Sequence, residues 1–152
     1  MTGQDRSDNI ARGLRQAEEV CTRHGVRLTR LRRAILELLL AAGSPVKAYD
    51  LIEQMRGKGE RLTPATIYRT LDFLLQYGLV HRINSTNTFI PCTGNHDEHA
   101  LLMFVCSECH QAEELDDPAL YESMRARLRE MGRSLRDNSI EIQGRCEKCA
   151  RE

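Results

Sequence analysis

The 152-residue chain contains no tryptophan, and aromatic residues make up only 5% of it. Apolar residues at 41% are enough to build cores. Without large aromatics, however, two small halves would have lean ones, and a lean core gains from a metal staple. Long apolar runs are also missing. None approaches the ~18 residues that a membrane-crossing helix requires, so no helix is expected to span a membrane. The opening MTGQDRSDNIARGLRQAEE is polar and lacks the apolar middle of a signal peptide. A cytoplasmic location is therefore expected. Thiols stay reduced there, so paired cysteines suggest metal before disulfide. Internal repeats and low-complexity tracts are absent, and so is net charge, since 22 Lys/Arg balance 22 Asp/Glu.

The balance conceals an asymmetry. Residues 1–91 hold 14 Lys/Arg against 9 Asp/Glu, a net +5, whereas residues 92–152 hold 8 against 13, a net −5. A basic half joined to an acidic half fits a polyanion-binding domain carried by a second module. Ordinary variation of a solvated surface produces the same numbers, so charge alone does not decide.

The first half has helical periodicity. Ser7 or Asp8 can cap a first helix that carries Ile10, Leu14, Ala17, Val20 and Cys21 inward and stops at Gly25, with Cys21 read as core. Thr29 can cap a second with Leu31, Ile35, Leu38 and Leu39 inward, followed by Gly43. A third runs through KAYDLIEQMR to Gly57. The fourth has the clearest ends: Thr63 as N-cap, Pro64 at the first helical position and Gly78 after TPATIYRTLDFLLQYG. The period then changes. VHRIN and TFIPC form two short strands about the turn Ser85–Asn87. Helices followed by a hairpin predict a winged helix-turn-helix over residues 1–91. Residues 92–152 predict a small α+β domain: a strand ALLMFVC, a strand near Ala112–Leu115, a helix opened by Asp117 and Pro118 with Leu120, Met124, Leu128 and Met131 on one face, and a strand SIEIQG.

On the fourth helix, placing Ile67, Leu71 and Leu74 inward turns Ala65, Arg69, Asp72 and Gln76 outward, with Tyr68 at the flank. The start of such a helix meets base edges in a helix-turn-helix. Arg69 can grip guanine O6 and N7 bidentately, and Thr63 with the free amides of the first turn can hold a phosphate. Tyr68 and Tyr49 can meet a thymine methyl or the backbone. Any amphipathic helix also shows an Arg and a Tyr to solvent; the hairpin that follows and the +5 charge favour DNA.

Metal-ligand residue types concentrate in the second half. Residues 92–109 read CTGNHDEHALLMFVCSEC, and CEKC follows at 146–149. Each C-x-x-C turn brings two sulfurs to one side, so Cys106, Cys109, Cys146 and Cys149 can complete a closed tetrahedral S4 shell. With no open coordination position, that site is expected to be structural. Redox chemistry at C-x-x-C is the competing reading, and two pairs at strand edges favour zinc over it. His81, Cys92, His96, His99, His110, Glu98, Glu113 and Glu114 remain as candidates for a second set.

Taken together, TPATIYRTLDFLLQYGLVHR, Cys92, His99, CSEC, Glu114 and CEKC resemble the ferric uptake regulator superfamily and, within it, the zinc-uptake branch. The resemblance runs from about Leu14 to Cys149. It implies a homodimer of winged-helix domains on α+β dimerisation domains that represses metal-uptake genes when metal is bound. It also implies two zinc ions per chain: a structural ion on the four paired cysteines, and a regulatory ion on His81, Cys92, His99 and Glu114, with His96 the rival of His99. Tyr49 and Arg69 match positions that read DNA, and the implied operator is palindromic double-stranded DNA. The family commonly has Thr-Pro-Gln-Arg before the second helix, where this chain has Thr29-Arg30-Leu31-Arg32, an extra arginine expected to add phosphate affinity. One thiolate, two imidazoles and one carboxylate form a tetrahedral N2SO set that suits zinc better than ferrous iron or manganese.

Two other functions compete. HDEH before CSEC echoes zinc deaminases, in which His96 and the cysteines would bind zinc and Glu98 would move protons. The spacing to Cys106 is too short for that, no proline precedes Cys106, and the second C-x-x-C would have no role, so an enzyme is not expected. The other alternative is a constitutive DNA-binding protein with purely structural zinc.

Overall fold

The computed structural model describes residues 3–92, 101–135 and 139–151. Its contacts divide the chain into two compact units, Met1–His96 and Asp97–Glu152, a division five residues later than the one expected from sequence. None of the described helices is long and apolar enough to cross a membrane.

The first unit is a winged helix. Helix α1 spans Gly3–Arg23, so it begins before Ser7 and Asp8, which lie inside it rather than capping it. Helix α2 (Arg30–Ala42) is capped by the Thr29 side chain, which accepts from the Arg32 amide, and ends at Gly43 with φ 64°. The two helices cross closely at Gly13, where a Cβ would come within 2.7 Å of Leu40 Cδ2. Helix α3 spans Ala48–Gly57. It ends at Gly57, as expected, with the left-handed turn following at Gly59 (φ 83°). Helix α4 (Pro64–Gln76) has Thr63 as N-cap, its hydroxyl accepting from the Thr66 amide. Gly78 follows at φ 66°, as the sequence predicts.

Ile35, Leu39, Leu51, Ile67, Leu71 and Leu74 are fully buried together. Cys21 lies in the same core, and burial raises its thiol pKa. Strands β1 (Val80–Ile83) and β2 (Thr88–Pro91) form the antiparallel wing. Val46 adds a bridge to Phe89 that the sequence pattern does not reveal.

The second unit is a three-stranded sheet in the order β4-β3-β5. β3 (Leu101–Cys106) pairs antiparallel with β4 (Ala112–Glu114) and parallel with β5 (Ser139–Gly144). Helix α5 (Pro118–Glu130) connects β4 to β5, its N-cap Asp117 accepting from the Leu120 amide. A short α6 (Glu147–Ala150) follows. Of the apolar stripe expected on α5, Met124 and Leu128 are half-buried. Leu120 and Met131 are 42% and 50% exposed, whereas Tyr121 is buried. Around the helix Leu128 lies about 20° and Met124 about 60° from Tyr121, whereas Leu120 is about 100° away, so the inward face is the stripe turned toward Tyr121, with Leu120 at its outer margin.

Candidate metal centre and nucleic-acid interface

Parallel strands end at the same edge of a sheet, and this delivers the two cysteine pairs to one place. Cys106 closes β3 and is in register with Gly144 at the end of β5. Cys146 follows two residues later as the N-cap of α6. The backbone at Gly144 packs closely on Phe104: a Cβ there would come within 2.8 Å of the ring, which would have to move. Its carbonyl accepts from the Ser107 amide at 2.8 Å, which ties the first cysteine turn to the end of β5. Left-handed backbone at His110 (φ 59°) closes that turn, with the His110 amide donating to the Cys106 carbonyl at 3.0 Å.

The ligand atoms of Cys106, Cys109, Cys146 and Cys149 all lie within 4.8 Å of one another. Among the described residues they are the one cluster of potential ligands so arranged. The Cys109 and Cys146 sulfurs are 3.8 Å apart. A tetrahedron with metal–sulfur bonds of about 2.3 Å has sulfur–sulfur edges of about 3.8 Å, which the Cys109–Cys146 edge matches. Backbone amides of Cys109 and Cys146 pull the buried Cys106 thiol down to about 6, and the Cys146 amide lies 3.4 Å from its sulfur. The Cys146 thiol and burial push Cys149 up to about 12. Four sulfurs this close cannot all ionise by themselves, and a cation is what allows them to.

The second expected set is distributed differently. His81 faces Ile90 across the wing, and the Cys92 amide donates to the Leu79 carbonyl. Leu79, His81, Ile90 and Cys92 therefore share one face of the hairpin, with Cys92 buried and His81 half-buried. Glu114 lies on β4 of the second unit, opposite Met103 and half-buried. His96 and His99 lie outside the described residues, as does Glu98.

On α4, Ala65, Arg69, Asp72 and Gln76 are exposed and Ile67, Leu71 and Leu74 buried, the division expected from periodicity. Tyr68 is 46% exposed, and Tyr49, in the first turn of α3, 67%. The arginines before and within α2 are largely committed inside the unit. Arg32 lies over the Phe73 ring at 3.5 Å and donates to the Arg27 carbonyl. Arg33 pairs with Glu18, and Arg30, though exposed, pairs with Glu60 at 2.7 Å. The Arg32 guanidinium joins α2 to α4, whereas Arg30, the extra arginine of the Thr29–Arg32 segment, keeps 91% of its side chain exposed beside Glu60.

Residues 23–143 match the sequence profile of the ferric uptake regulator family. The chain belongs to that family. It is 36% identical over 137 residues to the zinc uptake regulation protein of Escherichia coli K12, covering 90% of this chain and 80% of the relative. It is 32% identical over 125 residues to the zinc uptake regulation protein of Mycobacterium tuberculosis H37Rv, covering 82% and 95%. Among solved structures, a zinc uptake regulator complexed with zinc and DNA superposes with a TM-score of 0.83 at 35% identity, over 93% of this chain and 95% of that one. As a member of a regulator family the chain is not an enzyme. The deaminase reading also fails on geometry, since Cys106 and Cys109 are grouped with Cys146 and Cys149 in a set that leaves no position open. The profile ends before Cys146 and Cys149, so that pair rests on the local geometry.

One residue of this edge escaped the sequence reading. Arg145 donates to the Cys149 carbonyl at 2.6 Å and its Nε is 4.0 Å from Glu108. The signal was present as opposite charges, one inside CSEC and one immediately before CEKC.

Proposed function

We propose that this chain is a homodimeric, zinc-responsive repressor of zinc-uptake genes that acts in the cytoplasm on palindromic double-stranded DNA. The observation that carries this reading is its similarity, over nearly the whole of both chains, to a zinc uptake regulator solved with zinc and DNA. Two zinc ions per chain are proposed. Cys106, Cys109, Cys146 and Cys149 hold the structural one. His81, Cys92, His99 and Glu114 hold the regulatory one, with His96 as rival to His99. Zinc, when bound, supplies a fixed tetrahedral crosslink among its ligands.

The chain's own residues supply the rest. Arg69 reads a guanine edge, Thr63 and the first-turn amides of α4 hold a phosphate, and Tyr49 and Tyr68 complete the contact. Regulation needs little energy: a tenfold change in DNA affinity corresponds to ~1.4 kcal/mol of coupling, and by reciprocity operator DNA tightens regulatory zinc by the same factor.

The test is Cys92→Ser, which removes the only sulfur of the proposed sensing set. The variant should remain a folded dimer with one zinc per chain, and its operator affinity should lose zinc dependence in a titration against buffered free zinc. Operator binding with the full zinc response would place the sensor elsewhere. Zinc-independent binding by the unaltered protein would make it a constitutive DNA-binding protein.

A further inference from the structure

The two cysteine pairs are joined by a side chain that is not a ligand. Arg145 sits between the end of β5 and the second pair. Its Nη2 donates to the carbonyl of Cys149 at 2.6 Å, a short charge-assisted bond. Its Nε reaches toward Glu108, inside the first pair, at 4.0 Å. One guanidinium thus hydrogen-bonds the last residue of the second C-x-x-C turn and lies at ion-pair distance from Glu108 of the first. The neighbouring Arg151 differs: it pairs with Glu147 within the turn of α6 and makes no link to the first pair.

We propose that Arg145 is a positioning residue for the four-cysteine site, bracing the two turns against each other so that bound zinc is released slowly. This rests on the reading of Cys106, Cys109, Cys146 and Cys149 as a zinc site. The exposed pair with Glu108 contributes little by itself. What matters is that opening the site requires the two turns to separate, which moves a guanidinium bonded to the second turn away from the carboxylate of the first. Residues that orient metal ligands in this way typically change metal affinity ten- to a hundredfold when removed.

The experiment uses the full zinc-loaded chain and measures the rate of zinc transfer to excess chromogenic chelator, with zinc content per chain and circular dichroism recorded first. Arg145→Ala should start with the wild-type spectrum and a filled structural site, and should release that zinc about tenfold faster. Glu108→Gln should accelerate release less. Combined with Arg145→Ala it should add nothing, because both act through one contact. Arg151→Ala removes the same charge from the same neighbourhood and should release zinc at the wild-type rate. Unchanged release from Arg145→Ala overturns the brace, and so does equal acceleration by Arg151→Ala, which would reduce the effect to charge alone. If Arg145→Ala does not fold, Glu108→Gln decides: faster release supports the brace and the wild-type rate overturns it. Wild-type protein with no zinc that survives dialysis overturns the zinc reading itself, and its zinc content reveals this separately.

Discussion

In Met1–His96, four helices and a hairpin bury a continuous apolar core from Leu14 to Phe89. In Asp97–Glu152 the buried apolar side chains, among the described residues, are Leu101, Leu102, Met103, Val105, Cys106 and Tyr121. Five of the six come from one strand. A three-stranded sheet with one helix and so few buried side chains cannot remove enough apolar surface to offset chain entropy by itself. The same unit places four sulfurs at the shared end of β3 and β5. The contrast is between apolar packing, where helices supply an apolar face, and the metal crosslink we propose where strands do not.

The largest expected effect separates the two units. Cys106→Ser should abolish structural zinc, unfold the second unit and eliminate dimers, because a zinc site of this kind contributes on the order of 10 kcal/mol to folding. The helical signal of the first unit should survive in circular dichroism, and size exclusion should report a monomer. A normal dimer would show that the second unit does not depend on its cysteines.

The reverse experiment alters the first unit alone. Leu71 is fully buried in the helical core, and Leu71→Ala should cost about 2–5 kcal/mol of its stability. Thermal unfolding followed at saturating zinc should show the earlier loss of helix with zinc content unchanged. Loss of zinc in parallel would mean that the two units unfold as one.

The smallest effect leaves both units intact. Arg69→Ala should weaken operator binding by ~1–3 kcal/mol and relax preference at one base position per half-site, without shifting the melting temperature. Equal weakening on operator and random DNA would make Arg69 a phosphate contact.

What could be read from sequence follows from how local each signal is. The α4 boundaries were legible because Thr63, Pro64 and Gly78 each act within a turn of the helix end they define. The start of α1 was not. Ser7 and Asp8 are good caps, yet helix continues through them to Gly3, and nothing in the pattern distinguishes a cap from a polar residue in an exposed turn. The identity of the four clustered cysteines was legible from spacing. The reason they meet was not, because parallel pairing of β3 with β5 across α5 leaves no mark in either strand. Arg145 was missed for the same reason: its relation to Glu108 exists only once Cys106 is in register with Gly144. The face shared by His81 and Cys92 likewise depends on wing register. The commitment of Arg32 to Phe73 joins residues of two helices that only tertiary packing brings together.

The pairing of β3 with β5 also bears on how quickly the molecule assembles. Leu101 and Ser139, the first partners of that ladder, are 38 positions apart, and the intervening chain must be drawn in before any of the ladder's bonds form. Helices of the first unit close contacts between near neighbours and should complete early. The sheet of the second unit, built on a non-local parallel ladder, should be the slow phase of refolding. Stopped-flow refolding with and without zinc would locate the metal in that sequence of events. Acceleration of the slow phase would show that two cysteine pairs captured by one ion close the loop ahead of the strands. An unchanged rate would show that the strands close it and the ion secures the result.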